Sequence, residues 1–216
     1  MNTQLKRQKD FWNKEVKNFD AIYSHGKSGF NNWLDQKFRW DMYARFAYTI
    51  KNSEPAEGKS FLDVGCGAGH YSLELASKGA KQVTGLDISE KMLAICRQRA
   101  EEKKLDKICT FVQTDLLEYK PDVKFNTAIG IGLFDYIPDA LPVLKKMCEV
   151  VDEKVIISVP KLWTWRALVR KIRLSVKGCD VYFYSKEKIE RLLTEAGFKN
   201  FSIEEVGQLY CITARV

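Results

Sequence analysis

A glycine-rich turn is the part of this 216-residue sequence whose residue types and spacing are best suited to chemistry. It reads Asp63-Val-Gly-Cys-Gly-Ala-Gly69 and follows a short apolar run that predicts a strand. Glycines at a strand-to-helix turn let the backbone bend tightly and approach a ligand without a clash from Cβ atoms. A ligand held there would lie over the carboxyl end of a parallel sheet, near the N-terminus of the next helix.

The spacing of the glycines separates this turn from two common nucleotide-binding loops. A dinucleotide fingerprint that begins at Gly65 needs a third glycine at position 70. This sequence has His70 there, and the third glycine of the turn is Gly69. The turn also lacks the final Gly-Lys-Ser/Thr of a phosphate-binding Walker loop. The pattern therefore disfavours a nicotinamide-dependent oxidoreductase and a nucleoside-triphosphate site.

Two acidic residues follow at the ends of the next two predicted strands. Asp87 comes about twenty residues after the turn, where a carboxylate can accept hydrogen bonds from both hydroxyls of a ribose. Asp115 ends the third strand at the same edge and could accept from the exocyclic amine of an adenine. An acid after a strand is often only a helix cap, but the glycine turn, Asp87 and Asp115 in order on successive strand ends indicate a ligand site.

The elements that must position these residues alternate between strands and helices from Ser60 onwards, which predicts an α/β fold with helices on both faces of a parallel sheet. A closing antiparallel hairpin is predicted at the C-terminus. The predicted strands are Ser60–Val64, Gln82–Asp87, Ile108–Gln113, Phe125–Gly130, Val155–Val159, Phe198–Val206 and Leu209–Val216, and the helices are about 69–78, 89–103, 138–151 and 186–196.

With these motifs, residues 60–159 resemble the catalytic core of the class I S-adenosylmethionine-dependent methyltransferases. The glycine turn matches their first motif, Gly85–Ser89 the second and Gln113–Leu116 the third, and Phe125–Asp135 occupies the place of the fourth. The resemblance implies a Rossmann-like three-layer sandwich. Its seven-stranded, mostly parallel sheet would have the order 3-2-1-4-5-7-6, with an N-terminal helical lid.

The resemblance also implies S-adenosyl-L-methionine as cofactor, S-adenosyl-L-homocysteine as product, and a set of residues that bind them. The methionine and ribose parts would pass across the backbone of Gly65, Cys66 and Gly67. Asp63 would offset the charge of the methionine ammonium. The ribose would be held by Asp87, the adenine would contact Ile88, Asp115 and Leu116, and Ile131 would offer its backbone to the ligand.

The apolar pattern of residues 1–55 predicts a helical lid or cap that precedes a core spanning residues 56–216. The segments Phe19–Tyr23, Asp35–Arg39 and Val159–Trp165 distantly resemble the magnesium-protoporphyrin methyltransferase branch. Tyr23 falls on a functional tyrosine of that branch, which implies a role in both cofactor binding and catalysis. The functional histidine of that branch falls on Asp135 here, and this departure argues against a porphyrin substrate.

Catalysis of methyl transfer asks mainly for positioning and exclusion of water, because the sulfonium already carries the leaving group. A base is needed only if the acceptor must lose a proton. Asp135 and Tyr136 are the first candidates, and Tyr23 and His25 in the lid are the next. Simple packing would explain Tyr136 equally well, and a position in a Gly/Ser-rich turn would explain His25.

The composition leaves the acceptor open within limits. Lys plus Arg exceeds Asp plus Glu by 35 to 28, a net charge of +7 that permits an anionic substrate, nucleic acid or an acidic membrane. The fourth motif lacks the Asn/Asp-Pro-Pro-aromatic sequence common in base methylases. We therefore expect a small-molecule acceptor, anionic or lipophilic, and no nucleic-acid partner. An RNA-modifying methyltransferase and a non-catalytic S-adenosylmethionine-binding protein are the alternatives.

An insert over about 162–177 places an apolar stripe beside a basic one, which predicts an amphipathic helix. Weak contact with an anionic membrane surface is one interpretation, and a cover helix with a solvated basic face is the favoured one.

Six scattered cysteines without a CxxC pair and a charged N-terminus predict reduced thiols, no metal site and a cytoplasmic location. The sequence does not choose between a monomer and a homodimer.

Overall fold

The structure is a computed structural model that describes residues 7–13, 32–162 and 180–216, with only the backbone for 32–39. Two predicted site residues, Tyr23 and His25, lie outside the described residues, as does the predicted insert helix beyond Leu162.

The centre of the molecule is a seven-stranded sheet in the order β3-β2-β1-β4-β5-β7-β6. All neighbouring strands are parallel except β7, which runs antiparallel to both β5 and β6. This confirms the predicted α/β class, the strand order and the closing hairpin. The strands are β1 (Ser60–Val64), β2 (Gln82–Asp87), β3 (Cys109–Gln113), β4 (Phe125–Ile131), β5 (Val151–Pro160), β6 (Asn200–Val206) and β7 (Leu209–Arg215).

Helices cover the sheet on two faces, each with its own hydrophobic core. Side-chain caps fix where several of them begin, as at Ser89, whose hydroxyl accepts from the backbone N–H of Met92. Besides a 3₁₀ turn over Phe134–Tyr136, the described helices are α1 (7–13), α2 (Asn32–Ser53), α3 (His70–Ser77), α4 (Glu90–Glu102), α5 (Ala140–Glu149) and α6 (Lys186–Glu195).

The register of the central strands brings the predicted site residues to one edge. Asp63 in β1 is the partner of Gly85 in β2, and Asp87 at the end of β2 is the partner of Gln113 at the end of β3. Because parallel strands finish on the same side, the carboxyl ends of β1, β2 and β3 form one continuous rim.

The predicted boundaries of α5 and the predicted start of β5 are wrong. The sequence pattern predicts a helix over 138–151 and a strand from Val155, whereas α5 ends at Glu149 and β5 already begins at Val151. The helix starts late because Asp139 is its N-cap, accepting from the backbone N–H of Leu141. It ends early because Val151, fully buried, pairs with Phe125 in β4 across a local register shift.

The C-terminal half of α2 packs directly on the sheet. The Tyr48 hydroxyl and Thr213 Oγ1 in β7 lie 2.9 Å apart, and Ile50 is buried in the same core as α3 and α4. The division of the chain into a cap over 1–55 and a core over 56–216 stays a prediction. Within the described part of the chain, no helix combines the length and apolar character needed to cross a bilayer.

Candidate active site

The turn between β1 and α3 is pinned to the end of β2 by its backbone. The N–H groups of Gly65 and Cys66 both donate to the carbonyl of Leu86, at 2.8 and 3.0 Å. Gly65 and Gly69 have φ values of +70° and +78°, in the left-handed region that favours glycine. A Cβ at Gly69 would also lie 3.0 Å from Cys96 Sγ, so the close approach of α4 requires glycine as well.

Two side chains of α4 donate hydrogen bonds to carbonyl groups of the same turn. The Cys96 thiol donates to the carbonyl of Gly67 at 3.0 Å, and Arg99 Nη1 donates to the carbonyl of Ala68 at 3.1 Å. A hydrogen bond with Cys96, together with burial, raises the pKa of the Cys66 thiol well above its usual range. Cys66 is therefore neutral at physiological pH, and the turn offers a ligand its backbone and no charged sulfur.

Asp87 joins the turn to the start of α4. Its Oδ2 accepts from the backbone N–H of Gly67 at 3.0 Å, and its Oδ1 accepts from the backbone N–H of Ser89 at 2.8 Å. A carboxylate has about four acceptor positions, so the two oxygens retain capacity for two ribose hydroxyls. Burial raises the pKa of Asp87, and the backbone N–H groups oppose that rise.

Asp63 lies under the turn and is only 2% exposed. Its Oδ2 accepts a hydrogen bond from the Ser72 hydroxyl at 2.6 Å. Burial raises the pKa of Asp63 to about 7, and the nearby charge of Asp87 adds to the rise, whereas Ser72 opposes it. A buried carboxylate of this kind is stabilised in its ionised form by a cation, such as the ammonium of an amino acid.

Ser72 is a site residue that the sequence motifs did not single out. It is fully buried on α3, whose other buried residues are Tyr71, Leu73, Leu75 and Ala76. A hydroxyl among the buried, mainly apolar residues of a helix needs a partner, and this is the signal that could have identified Ser72.

The ends of β2 and β3 form the part of the rim where the sequence resemblance places the adenine. Gln113 Nε2 donates to the carbonyl of Ile88 at 3.0 Å and so joins the two strand ends. Asp115 Oδ1 accepts from the backbone N–H of Leu117 at 2.8 Å, and Leu116 is buried in the core. Gln113 was not predicted as a site residue, although it adjoins the third motif.

The rim continues past Ile131 at the end of β4. Ser158 Oγ, in β5, accepts from the backbone N–H of Gly132 at 3.0 Å and fixes the path of the chain there. Asp135 is buried in the 3₁₀ turn, and its carbonyl accepts from the backbone N–H of Tyr182 at 2.8 Å. Of the two first candidates for catalysis, Asp135 is therefore enclosed by protein, whereas the neighbouring Tyr136 is only half-buried.

Helix α1 lies across the rim and contacts it at both ends. Asn13 Oδ1 accepts from the Ser89 hydroxyl at 2.7 Å, just after β2. Gln8 Nε2 donates to the carbonyl of Tyr136 at 2.6 Å, and the Trp12 ring meets the Tyr136 ring edge-on with centroids 5.0 Å apart. The sequence predicted a helix here, but it gave no signal for Gln8 or Asn13 as contacts.

The structure thus gathers most predicted site residues at one rim and joins several through hydrogen bonds. Asp87 is hydrogen-bonded to the glycine turn, which directly follows Asp63, and Asp115 just after β3 and Ile131 at the end of β4 lie on either side. Among the described residues there is no cluster of three or more His, Cys, Asp or Glu side chains arranged to hold a metal ion.

Comparison with known families gives one domain match. A model described as a methyltransferase domain matches residues 55–197, which includes the glycine turn, the three acids and both catalytic candidates on the 3₁₀ turn.

Three curated relatives show the range of acceptors. A demethylmenaquinone methyltransferase from Shouchella clausii is 36% identical over 182 residues, covering 72% of this chain and 77% of the relative. A 27-O-demethylrifamycin SV methyltransferase from Amycolatopsis mediterranei is 28% identical, covering 70% and 58%. A tRNA U34 carboxymethyltransferase from Haemophilus influenzae is 27% identical, covering 79% and 52%. The chain thus spans little more than half the length of the last two.

Among solved structures, a magnesium protoporphyrin IX methyltransferase from Synechocystis, crystallised with bound SAH, has a similar fold. The TM-score is 0.78 at 22% sequence identity, over 98% of this chain and 99% of that one. At this identity the likeness shows a common fold and does not extend to the substrate.

Proposed function

This chain belongs to the class I S-adenosylmethionine-dependent methyltransferases, and on that premise we propose that it transfers a methyl group from S-adenosylmethionine to a small-molecule acceptor. The bound cofactor supplies a methyl group on a positively charged sulfur, and S-adenosylhomocysteine is the product. Everything else that the reaction needs, namely binding, alignment and exclusion of water, is the work of the residues at the rim.

The observation that carries the proposal is that two carboxylates flank the glycine turn: Asp87 accepts from the Gly67 N–H, and Asp63, which directly precedes the turn, accepts from Ser72. The glycines of the turn have no side chains, so a ligand can lie close to the backbone, and the turn lies between two carboxylates that suit the methionine ammonium and the ribose. Asp87 would accept from the ribose hydroxyls, and Asp63 would face the ammonium of the methionine part. Gly65, Cys66 and Gly67 would line the path between them, with Ile88, Asp115 and Leu116 at the adenine and Ile131 beyond the sulfur.

The acceptor would enter between the end of β4 and α1. Trp12 and Tyr136 form an aromatic wall there, and Phe11 and Phe183 pack beside it against Val181. Such a wall excludes water and favours a lipophilic acceptor. We assign Tyr136 and Asp135 as the first residues to test in catalysis, with Tyr23 and His25 as the predicted contributions of the lid.

The names of the relatives support a small lipophilic acceptor, because two of the three reported act on a quinone or a rifamycin. The third modifies tRNA, so RNA is the acceptor class that an experiment must exclude.

Three properties stay predictions from the sequence: a location in the cytoplasm, the oligomeric state, and weak membrane contact through residues 162–177. Co-sedimentation with vesicles, with and without anionic lipid, tests the membrane contact.

Calorimetry with S-adenosylhomocysteine tests the cofactor assignment, and micromolar affinity is the expected result. An assay for release of S-adenosylhomocysteine then tests acceptors of three kinds: hydroxylated aromatic compounds, aromatic carboxylates and tRNA. Turnover with an aromatic compound supports the proposal, whereas turnover with tRNA alone would assign the protein to RNA modification. Absence of S-adenosylhomocysteine binding at high micromolar concentration would overturn the cofactor assignment.

A further inference from the structure

We propose that Ser72 is a positioning residue that keeps the Asp63 carboxylate ionised and oriented for the ammonium group of the cofactor. The inference rests on the proposed function, since it concerns the methionine end of the same site.

The geometry of the pair is that of a charge-assisted hydrogen bond. The Ser72 Oγ and Asp63 Oδ2 atoms are 2.6 Å apart, within the range for a hydroxyl that donates to a carboxylate. Both side chains are buried, at 0% and 2% exposure, so water does not replace the bond if it is lost. The backbone N–H of Ser72 also favours the ionised form of Asp63.

The other groups around Asp63 do not help it to ionise. Asp87, facing it from the end of β2, has the same charge and raises its pKa. Cys66 in the turn and Cys109 in β3 are thiols whose raised pKa values keep them neutral at physiological pH. Ser72 on α3 opposes the rise in the pKa of Asp63 that burial causes, and the resulting pKa of the Asp63 carboxyl is about 7.

A carboxyl of this pKa is half ionised near neutrality and becomes fully ionised when a cation arrives beside it. Wild-type affinity for S-adenosylhomocysteine, which carries the ammonium, should therefore increase as the pH rises from 6 to 8. Loss of the Ser72 hydroxyl raises the pKa of Asp63 further, so the same increase should occur at higher pH.

The test compares two ligands that differ at the methionine end. 5′-Methylthioadenosine keeps the adenosine and the sulfur but has no ammonium, so it reports on the rest of the site. We expect Ser72→Ala to weaken S-adenosylhomocysteine binding at pH 7 by about fivefold, because a rise of one pKa unit lowers the ionised fraction of Asp63 from about one half to about one eleventh, and to leave 5′-methylthioadenosine binding unchanged. Ser72→Thr, which keeps the hydroxyl, should restore most of the affinity and the wild-type pH profile.

Ser77→Ala is the matched control, because Ser77 lies on the same helix with an exposed hydroxyl that donates to the carbonyl of Glu74. Circular dichroism establishes that each variant is folded. Equal losses for both ligands in Ser72→Ala, or an unchanged pH profile, would overturn the inference while leaving the methyltransferase assignment intact. If the wild-type protein binds neither ligand, the proposed function itself is wrong.

Discussion

Asp87 and Gly67, twenty positions apart in the sequence, are joined by a hydrogen bond of 3.0 Å from the Gly67 N–H to Asp87 Oδ2. The bond connects the end of β2 to the middle of the glycine turn. The same carboxylate therefore holds the turn in shape and faces the place assigned to the ribose. Loss of this carboxylate should affect binding of any ligand with an adenosine part, whatever lies at its methionine end.

Replacing Asp87 by alanine is expected to weaken binding of S-adenosylhomocysteine and of 5′-methylthioadenosine alike. A hydrogen bond to a charged group contributes about 1.5–3 kcal/mol, so the loss of even one should weaken binding of both ligands by at least roughly ten- to a hundredfold. Calorimetry at pH 7.5 measures it. Asp106→Ala, which removes an exposed acid from the loop after α4, should leave both affinities unchanged. Wild-type affinity in Asp87→Ala would contradict the assigned site.

Asp63 should make stability depend on pH in the direction opposite to that of an ion-paired acid. Its pKa is 3.8 when unperturbed and about 7 in the folded protein, so the folded state binds its proton more tightly. The contribution of Asp63 to stability is therefore fully present below pH 4 and is lost as the pH rises towards 7. Asp63→Asn, which cannot ionise, should be more stable than the wild type at pH 8, by about 1–3 kcal/mol.

Urea unfolding of the wild type and Asp63→Asn at pH 4.5, 6 and 8 measures this difference, and the stability advantage of the variant should shrink as the pH falls. The variant should also lose affinity for S-adenosylhomocysteine while it retains 5′-methylthioadenosine. A constant stability difference across the pH range would show that Asp63 does not titrate in this interval.

The contact between β2 and β3 under the turn leaves no room for a side chain at Gly85. A Cβ there would lie 2.7 Å from the Phe111 ring and 2.9 Å from Cys66 Sγ. We expect Gly85→Ala to destabilise the protein by about 1–3 kcal/mol through overpacking, and to weaken S-adenosylhomocysteine binding because Cys66 belongs to the turn. Thermal unfolding and calorimetry measure the two effects.

Gly58→Ala separates crowding from backbone strain in this comparison. Gly58 has a φ of +73°, but a Cβ there would meet no atom within 4 Å. Gly58→Ala should destabilise the protein only by the cost of placing alanine in the left-handed backbone region, about 1 kcal/mol, and should not change ligand affinity. If Gly58→Ala weakened S-adenosylhomocysteine binding as much as Gly85→Ala, the crowding explanation would be wrong.

The sequence was sufficient to predict the sheet and the polar end of its central strands, because the signals are local. The glycine turn is contiguous from Asp63 to Gly69, Asp87 is the last residue of β2, and Asp115 comes two residues after the end of β3. The boundary between α5 and β5 was mispredicted for a non-local reason: Val151 joins the sheet through its pairing with Phe125, and the local pattern allowed the helix to continue.

The contacts that the motifs did not reveal join separate elements of the fold. Ser72 in α3 meets Asp63 in β1 across the glycine turn, Cys96 reaches the turn from α4, and Asn13 reaches Ser89 over a separation of 76 residues. A single sequence shows that a serine or an asparagine is present, but the partner becomes visible only when the helices are packed on the sheet.

Helix α1 is predicted to act as a lid over the rim. The Ser89 hydroxyl donates to Asn13 and also caps α4, so removal of the Asn13 side chain loosens one end of α1 without removing the cap. A neutral hydrogen bond contributes about 0.5–1.5 kcal/mol, so Asn13→Ala should accelerate dissociation of S-adenosylhomocysteine by roughly two- to tenfold. The association rate should change little, because most effects of a lost contact appear in dissociation. Stopped-flow fluorescence measures both rates.

Asp10→Ala, which changes an exposed position on the same helix, is the control, and its rates should match those of the wild type. Equal dissociation rates in Asn13→Ala and the wild type would mean that α1 does not retain the ligand, and that its contacts with Ser89 and Tyr136 serve the fold alone.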